Sequence, residues 1–143
     1  QEPTRKMSKS DPEDTYIAIL DPADIIRKKL RRAVTDCDAE VRFDAENKPG
    51  VSNLMSILSA LTGQSLESIA DDFAGKGYGV FKDAVADAVI AALAPIQENY
   101  EKISADKAYL EQVMQDGAER ASALAMRTLR KVHKKVGLAP TKL

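Results

Sequence analysis

The first ten residues include a run with obvious chemical potential, two lysines and two serines in the order Lys6-Met7-Ser8-Lys9-Ser10. Lysine ammonium groups carry mobile positive charge, and serine hydroxyls and loop amides donate hydrogen bonds to phosphate oxygens. These residue types therefore suit a loop that contacts a phosphate chain. A solvated surface loop would use the same residues, so composition alone leaves both interpretations open. We call this segment, residues 6–10, the KMSKS loop.

Two further groups of cations could contact nucleic-acid phosphates. One is the basic run Arg27–Arg32, whose lysines and arginines lie off the apolar stripe of a predicted helix. The other, which we call the basic stripe, is a set of four side chains on one face of a later predicted helix: Arg127, Arg130, Lys131 and Lys134. Lysine and arginine also favour helices and stabilise helix C-termini, so a solvated face remains the alternative for each group.

No metal site is expected in this chain. Its one cysteine, Cys37, can form neither an internal disulfide nor a multi-cysteine metal site, and this cysteine usage fits a reducing cytoplasm. Its one histidine, His133, is expected at the surface beside the basic stripe. Asp83 and Asp87 are expected on a solvated helix face. Residues 75–79 are too short for a dinucleotide fingerprint and follow a predicted helix, so their glycines predict a helix stop and a turn.

Composition places the 143 residues among ordinary globular proteins, with 44% hydrophobic and 30% charged residues. The net charge of −1 provides no global field that would attract nucleic acid, so any such contact depends on where the charges lie. No apolar run approaches membrane-spanning length, and we expect a cytoplasmic protein without a membrane partner.

Apolar residues recur at helical spacing from Pro22 onward and predict an all-α fold, a bundle of about five helices. Pro95 is expected to kink the fourth helix, and the apolar stripe of the fifth, from Tyr109 to Val136, is expected to continue the core. The predicted helices are Pro22–Val34 with an Asp21 cap, Val51–Leu61 stopped by Gly63, Leu66–Phe73 with a Ser65 cap, Val80–Ile103, and a last helix from an Asp106 cap to Gly137.

The remaining segments are predicted as loops. A polar N-terminal arm carries the KMSKS loop, and its apolar end, Tyr16–Leu20, is either a brief strand or an extended lead-in. Residues 35–50 are polar and are expected to be ordered by Val41 and Phe43. The expected organisation is therefore an arm, residues 1–20, followed by a helical domain, residues 21–143.

The KMSKS loop, followed by Asp11-Pro12, resembles the signature loop of class I aminoacyl-tRNA synthetases, and residues 1–5 resemble its lead-in. Later segments resemble the bacterial-type tryptophanyl-tRNA synthetase family, in order and over nearly the whole chain. These segments are residues 21–36, 48–54, 75–79, 93–98 and 132–138. The resemblance is to the C-terminal part of that family from just before the KMSKS loop. Because the chain starts at Gln1 and not at Met, we expect a fragment or a processed chain.

The resemblance implies ATP-dependent activation of tryptophan to tryptophanyl-adenylate, with Mg²⁺, and transfer to tRNA(Trp). Lys6 and Lys9 would be catalytic, because they would stabilise the charge on departing pyrophosphate. All five residues of the KMSKS loop would bind ATP, with Ser8 and Ser10 holding the loop or the phosphates and Met7 acting as a hydrophobic anchor. The helical domain would hold the tRNA anticodon, which makes the basic stripe the candidate tRNA contact.

The family's nucleotide-binding fold, its tryptophan pocket and its histidine-centred second signature lie upstream of the matching region. We therefore expect this fragment alone to be inactive. The family usually forms homodimers through the upstream domain, so the fragment alone could be a monomer. The alternative function is a free-standing helical RNA-binding or scaffold module without catalysis.

Overall fold

The computed structural model describes residues 2–6, 8 and 10–138. Within those residues it contains helices and no strand, so the predicted all-α fold is confirmed and the Tyr16–Leu20 segment is not a strand. One turn of 3-10 helix precedes five α-helices, which are α1 (Ala23–Arg31), α2 (Pro49–Thr62), α3 (Leu66–Asp72), α4 (Tyr78–Ala105) and α5 (Lys107–Val136); the 3-10 turn is Glu13–Thr15.

The chain forms two compact units, Gln1–Glu98 and Asn99–Leu143. Among the described residues, every buried apolar side chain belongs to the first unit, where α1, α2, α3 and α4 and the loop residue Val41 supply the core. Helix α5, in the second unit, has no buried residue. The apolar side chains of α5 from Tyr109 to Val136 are about half exposed. The prediction of a helix here is confirmed, but the prediction that its apolar stripe continues the core was wrong. The domain boundary at residue 20 stays a prediction.

Most predicted helix ends are confirmed by the hydrogen bonds of their capping residues. The Ser65 hydroxyl accepts from the Ser68 amide at 3.2 Å, and the Asp106 carboxylate accepts from the Tyr109 amide at 3.0 Å. Gly63 ends α2 with a φ of 76°, a left-handed conformation that costs glycine little. Helix α4 continues through Pro95, as predicted, and a bend there stays a prediction.

Helix α1 differs from its prediction at both ends. Its N-terminus has no side-chain cap, because the Asp21 carboxylate instead accepts from the Ala18 amide and from Lys29. Its C-terminus is Arg31 and not Val34. The buried Lys82 ammonium group donates to the Ala33 carbonyl at 2.7 Å, in the turn that follows the helix. The Ala33 carbonyl would also lack an intrahelical donor if α1 continued to Val34, because the last four carbonyls of a helix have none. In the structure, Lys82 of α4 donates to it.

The turn after α1 also touches the start of α2. A Cβ atom added at Gly50 would lie 2.1 Å from the Val34 carbonyl oxygen, so only glycine fits at this crossing. In the loop of residues 35–50, Val41 is buried, as expected of a residue that orders this loop. Phe43 is exposed, so the expectation that it also orders the loop was wrong.

A buried lysine holds the loop between α1 and α2. Lys48 is 2% exposed, and its ammonium nitrogen lies 3.0 Å from a carboxylate oxygen of Asp36 and 3.0 Å from one of Asp38. The Tyr78 hydroxyl, at the first residue of α4, lies 3.3 Å from the same nitrogen and 2.5 Å from Asp36. We call these four side chains the Lys48 cluster.

The Lys48 cluster shifts the ionisation of its own members. Burial by itself raises the pKa of Asp36, but hydrogen bonds from Tyr78, the Asp38 amide and Lys48 outweigh it, and the pKa falls to about 2. Burial by itself lowers the pKa of Lys48, and the hydrogen bonds to Asp36 and Asp38 outweigh it in turn, so the pKa is raised. Both groups are therefore charged over the whole neutral range.

Substituting Gly50→Ala should destabilise the first unit by about 3 kcal/mol, because the new methyl group meets a backbone carbonyl that cannot move without shifting the end of α1. The measurement is urea unfolding followed by circular dichroism. Gly117→Ala is the matched control, since Gly117 lies inside α5 with open space around its Cβ position, and it should gain up to about 1 kcal/mol of helix propensity. Equal stability of Gly50→Ala and wild type would contradict the close crossing.

The Asp36 carboxylate should make stability depend on pH below about pH 4. Its folded-state pKa of about 2 lies below its ordinary value of 3.8, so its contribution is complete above the ordinary value and is lost as pH falls toward about 2. The difference in unfolding free energy between wild type and Asp36→Asn should therefore shrink from pH 7 to pH 2.5. Asp44, whose pKa hydrogen bonds from Asn47 also lower to about 2, is present in both proteins and cancels. A difference that is constant with pH would exclude this assignment.

Candidate phosphate-binding loop and basic surfaces

The described residues of the KMSKS loop are exposed and form local hydrogen bonds. Lys6, Ser8 and Ser10 are exposed, whereas Met7 and Lys9 lie outside the described residues. The Ser8 hydroxyl accepts from the Ser10 amide at 3.3 Å, and the Ser8 carbonyl accepts from the Asp11 amide at 3.1 Å. Lys6 forms no ion pair with any residue that the structure describes. Lys6 and the hydroxyl groups of Ser8 and Ser10 are therefore accessible to solvent, and the roles of the five loop residues stay predictions.

Arg5 and Asp11 join the two sides of the KMSKS loop. The Arg5 guanidinium donates to the Asp11 carboxylate at 2.9 Å, and it lies 3.6 Å from a carboxylate oxygen of Glu2. Both arginine pairs are solvent-exposed, so they contribute little to stability. Their effect is local, because they neutralise Arg5 and leave Lys6 as the free cation beside it.

The segment that follows the loop is anchored to α1 through Asp21. One carboxylate oxygen of Asp21 accepts from the Lys29 ammonium group at 2.6 Å and from the Ala18 amide at 2.9 Å. The same ammonium group lies 5.3 Å from the centre of the Tyr16 ring, which is within the range of a cation–π contact. Lys29 and Asp21 are mostly buried, at 14% and 16% side-chain exposure.

A glutamine from α4 holds the same segment. The Gln97 side-chain amide donates to the Ile19 carbonyl at 2.8 Å and to the Asp21 carbonyl at 3.0 Å. The sequence indicated no role for Gln97 or Tyr16, and it indicated Lys29 only as one cation of the basic run. A glutamine in a predicted helix is an ordinary surface residue until the fold brings a loop across it.

The basic run of α1 is largely paired with acids of α4. Arg27 lies 2.6 Å from Asp87, and Arg31 donates to Asp83 at 2.8 and 3.1 Å. The hydrogen bond from Arg31 lowers the pKa of Asp83. Asp87 is exposed, as expected for a solvated helix face, and Asp83 is partly exposed; the expectation did not include their pairing with arginines of α1.

With Lys29 bound to Asp21, the cations of the basic run that have no ion-pair partner within the described part of the chain are Lys28 and Arg32. Both side chains are exposed. The basic run is thus a weaker phosphate-binding candidate than its sequence indicated, since three of its five charges already have carboxylate partners.

The basic stripe lies near the end of α5, with all four side chains exposed and within about 100° of the helix circumference. None of the four forms an ion pair with a described residue. Leu129, Val132 and Val136 lie on the opposite face and are also exposed. The stripe is therefore an accessible, unneutralised cationic surface, and tRNA contact there stays a prediction.

Residues 2–6, 8 and 10–138 contain neither a metal-binding cluster nor a membrane-spanning helix. No group of three or more histidine, cysteine or acidic side chains in that part of the chain converges as a metal site would require. No helix there combines the length and apolar character needed to cross a membrane. Cys37 is exposed and unpaired.

Known proteins similar to this chain are tryptophan–tRNA ligases. The ligase of Clostridium tetani is 49% identical over 138 residues, which are 96% of this chain and 40% of that protein. The ligase of Oceanobacillus iheyensis is 49% identical over 140 residues, 96% of this chain and 42% of that protein. The chain therefore spans about two fifths of the length of these relatives.

Solved structures give the same result. Tryptophanyl-tRNA synthetase from Campylobacter jejuni superposes with a TM-score of 0.76 at 27% identity, over 93% of this chain and 42% of that one. The enzyme from Mycoplasma pneumoniae gives a TM-score of 0.67 at 31% identity, over 96% of this chain and 42% of that one. The family described as tRNA synthetases class I (W and Y) matches residues 1–94, which include the KMSKS loop and the core of the first unit. With about two thirds of its length matched in this way, the chain belongs to the class I tRNA synthetases of the tryptophan and tyrosine group.

Proposed function

We propose that this chain is the C-terminal part of a tryptophan–tRNA ligase and supplies the ATP-phosphate loop and a tRNA-binding surface of that enzyme. The observation that carries the proposal is the 49% identity to tryptophan–tRNA ligases over 96% of the chain. Identity at that level over nearly the whole chain supports the tryptophan enzyme over its tyrosine counterpart. The complete enzyme would take tryptophan, ATP with Mg²⁺ and tRNA(Trp), and would work as a cytoplasmic homodimer.

The KMSKS loop would act in the first half-reaction. The tryptophan carboxylate attacks the α-phosphorus of ATP, the bond to the bridging oxygen breaks, and pyrophosphate leaves with the added negative charge. Cations held beside the β- and γ-phosphates stabilise that charge as it develops. Lys6 suits this role because it is exposed and has no carboxylate partner among the described residues. Lys9, three residues along the same loop, would act with it, and Ser8 and Ser10 would donate to phosphate oxygens once the loop closes.

The second unit would contact tRNA. Its basic stripe offers four cations on one face of α5, close enough together to meet successive phosphates of a curved backbone. The α1 cations are less suited to this role, since carboxylates of α4 and Asp21 already bind three of them. A scaffold module without catalysis would have no use for the free lysine charge of the KMSKS loop.

In the complete enzyme, Lys9→Ala should slow tryptophan-dependent exchange of pyrophosphate into ATP about a hundredfold, because a transition-state donor is worth on the order of 3 kcal/mol. Tryptophan binding, measured by equilibrium dialysis, should change little. Lys107→Ala, which removes an exposed lysine from the start of α5, is the matched control and should exchange at the wild-type rate. This chain by itself should show no exchange.

Two results would count against the catalytic proposal. An unchanged exchange rate in Lys9→Ala would remove the role of the KMSKS loop. Absence of tryptophan-dependent exchange by the complete wild-type enzyme would remove the ligase assignment itself and favour the scaffold module.

Neutralising two members of the basic stripe, Arg130→Gln with Lys134→Gln, should weaken tRNA binding by the complete enzyme. Each phosphate contact releases counterions, so the slope of log affinity against log salt should fall by about two. Pyrophosphate exchange should be unchanged, because the KMSKS loop is a separate site. The measurement is tRNA affinity over a salt series. The control pair, Lys102→Gln with Lys107→Gln, removes the same charge from other exposed positions and should keep the wild-type slope.

Identical slopes for wild type and the stripe variant would mean that the basic stripe is a solvated face. The basic run Arg27–Arg32 would then be the next candidate, and its unpaired members Lys28 and Arg32 would be the residues to neutralise.

A further inference from the structure

We propose that Gln97 of α4 is a positioning residue for the KMSKS loop, acting with Lys29 through the backbone segment 16–21 that joins the loop to α1. The inference rests on the proposed function, because it assigns Gln97 an effect on adenylate formation. Gln97 touches neither ATP nor tryptophan in this account. It acts by fixing the base from which the KMSKS loop extends.

The Gln97 side chain uses both of its amide hydrogens on this segment. Its nitrogen donates to the Ile19 carbonyl at 2.8 Å and to the Asp21 carbonyl at 3.0 Å. Two acceptors on the same loop segment hold the Gln97 amide in one orientation. The amide in turn fixes the positions of the two carbonyl groups relative to each other. The contact joins positions 76 to 78 residues apart in sequence, so it ties the arm to the core helix α4 and not to its own neighbours.

Asp21 is the residue on which these contacts converge. Its carbonyl accepts from Gln97, while its carboxylate accepts from Lys29 at 2.6 Å and from the Ala18 amide at 2.9 Å. Its own amide donates to the Ala18 carbonyl at 3.0 Å, which closes a turn between the two residues. The segment is thus clamped from α1 on one side and from α4 on the other.

Apolar packing does not provide an equivalent anchor. Ile19 and Leu20 are about half exposed, and of this segment's aliphatic side chains only Ile17 packs against the core. A cavity of about 90 Å³ lies between Tyr16, Ile17 and the facing side chains of α1 and α2, including Leu30 and Leu54. Because the segment is loosely packed, the polar contacts of Gln97 and Lys29 decide where it lies.

The consequence for catalysis follows from chain length. Five residues lie between Ser10 and Tyr16, and the 3-10 turn Glu13–Thr15 shortens that span. The hydrogen bonds of Ser8 and Ser10 are to residues within three positions in sequence, so a displacement of the base would carry this part of the loop with it. A shift of about 1 Å in a catalytic group can cost about a hundredfold in rate. The clamped base should therefore limit where the loop lysines meet the phosphates.

The test compares Gln97→Ala and Gln97→Glu in the complete enzyme. The alanine variant loses both donors, and the glutamate variant keeps the size but places a carboxylate against two carbonyl oxygens. We expect kcat for pyrophosphate exchange to fall about tenfold to a hundredfold in both, with the glutamate variant at least as slow, and tryptophan affinity to stay at the wild-type value. Gln115→Glu, on the exposed surface of α5, is the matched control and should leave kcat unchanged.

Amide hydrogen exchange at Ala18, measured on the same samples, reports the clamp directly. Protection of this amide should fall in both Gln97 variants, while amides in the middle of α2 keep theirs, which separates a freed arm from a misfolded chain. A wild-type kcat in both variants, or a glutamate variant as active as wild type, would overturn the proposal. Loss of protection throughout α2 would also overturn it, since Gln97 would then support the whole core.

If the complete wild-type enzyme showed no tryptophan-dependent exchange, the proposed function would fail by itself. The Ala18 protection would then still decide whether Gln97 holds the arm, and unchanged protection in both variants would end the positioning role as well.

Discussion

The ammonium group of Lys48, almost fully withdrawn from solvent, joins three parts of the first unit that are distant in sequence. It lies where the loop after α1, the first turn of α2 and the first residue of α4 meet, and it binds Asp36 and Asp38 beside the Tyr78 hydroxyl. Removing an ammonium group from water is costly unless carboxylates and hydrogen bonds replace the lost hydration. The carboxylates of Asp36 and Asp38 can replace the lost hydration of Lys48 only when both lie beside its ammonium group. The ion pairs therefore favour one conformation of the loop between α1 and α2. The end of α1, capped by Lys82 and crossed by Gly50, lies at the start of that loop.

This rigid junction has a functional counterpart at the other end of α1. There the arm is joined to the core by Asp21, Lys29 and Gln97, and further toward the N-terminus the described loop residues Lys6, Ser8 and Ser10 are exposed. A fixed base with a solvent-exposed tip suits a loop that must approach a polyphosphate and release it again. If the tip were packed against the core, the charge of Lys6 would be screened or paired before any ligand arrived.

The distribution of ion pairs also separates the two basic helices. The cations of α1 neutralise acids of α4 and contribute to the packing of the first unit, while those of α5 have no carboxylate partners in the described part of the chain. The two basic helices thus differ in the unpaired charge that they offer to a polyanion. Exposure of the apolar face of α5, opposite the basic stripe, shows that helix formation there does not depend on burial within this unit.

Local sequence signals determined the elements of this protein. The helices could be predicted from the helical spacing of apolar residues, from the caps Ser65 and Asp106, and from the stop at Gly63. These signals act over one or two turns, so they can be recognised without the tertiary structure. The lysines and serines of the KMSKS loop could likewise be singled out from residue type and order. Tertiary structure alone decided the partners: Asp21 binds Lys29 and not the start of α1, and Gln97 reaches carbonyls nearly eighty residues away. Such long-range pairings depend on which surfaces the core brings together, and no periodicity in the chain encodes them.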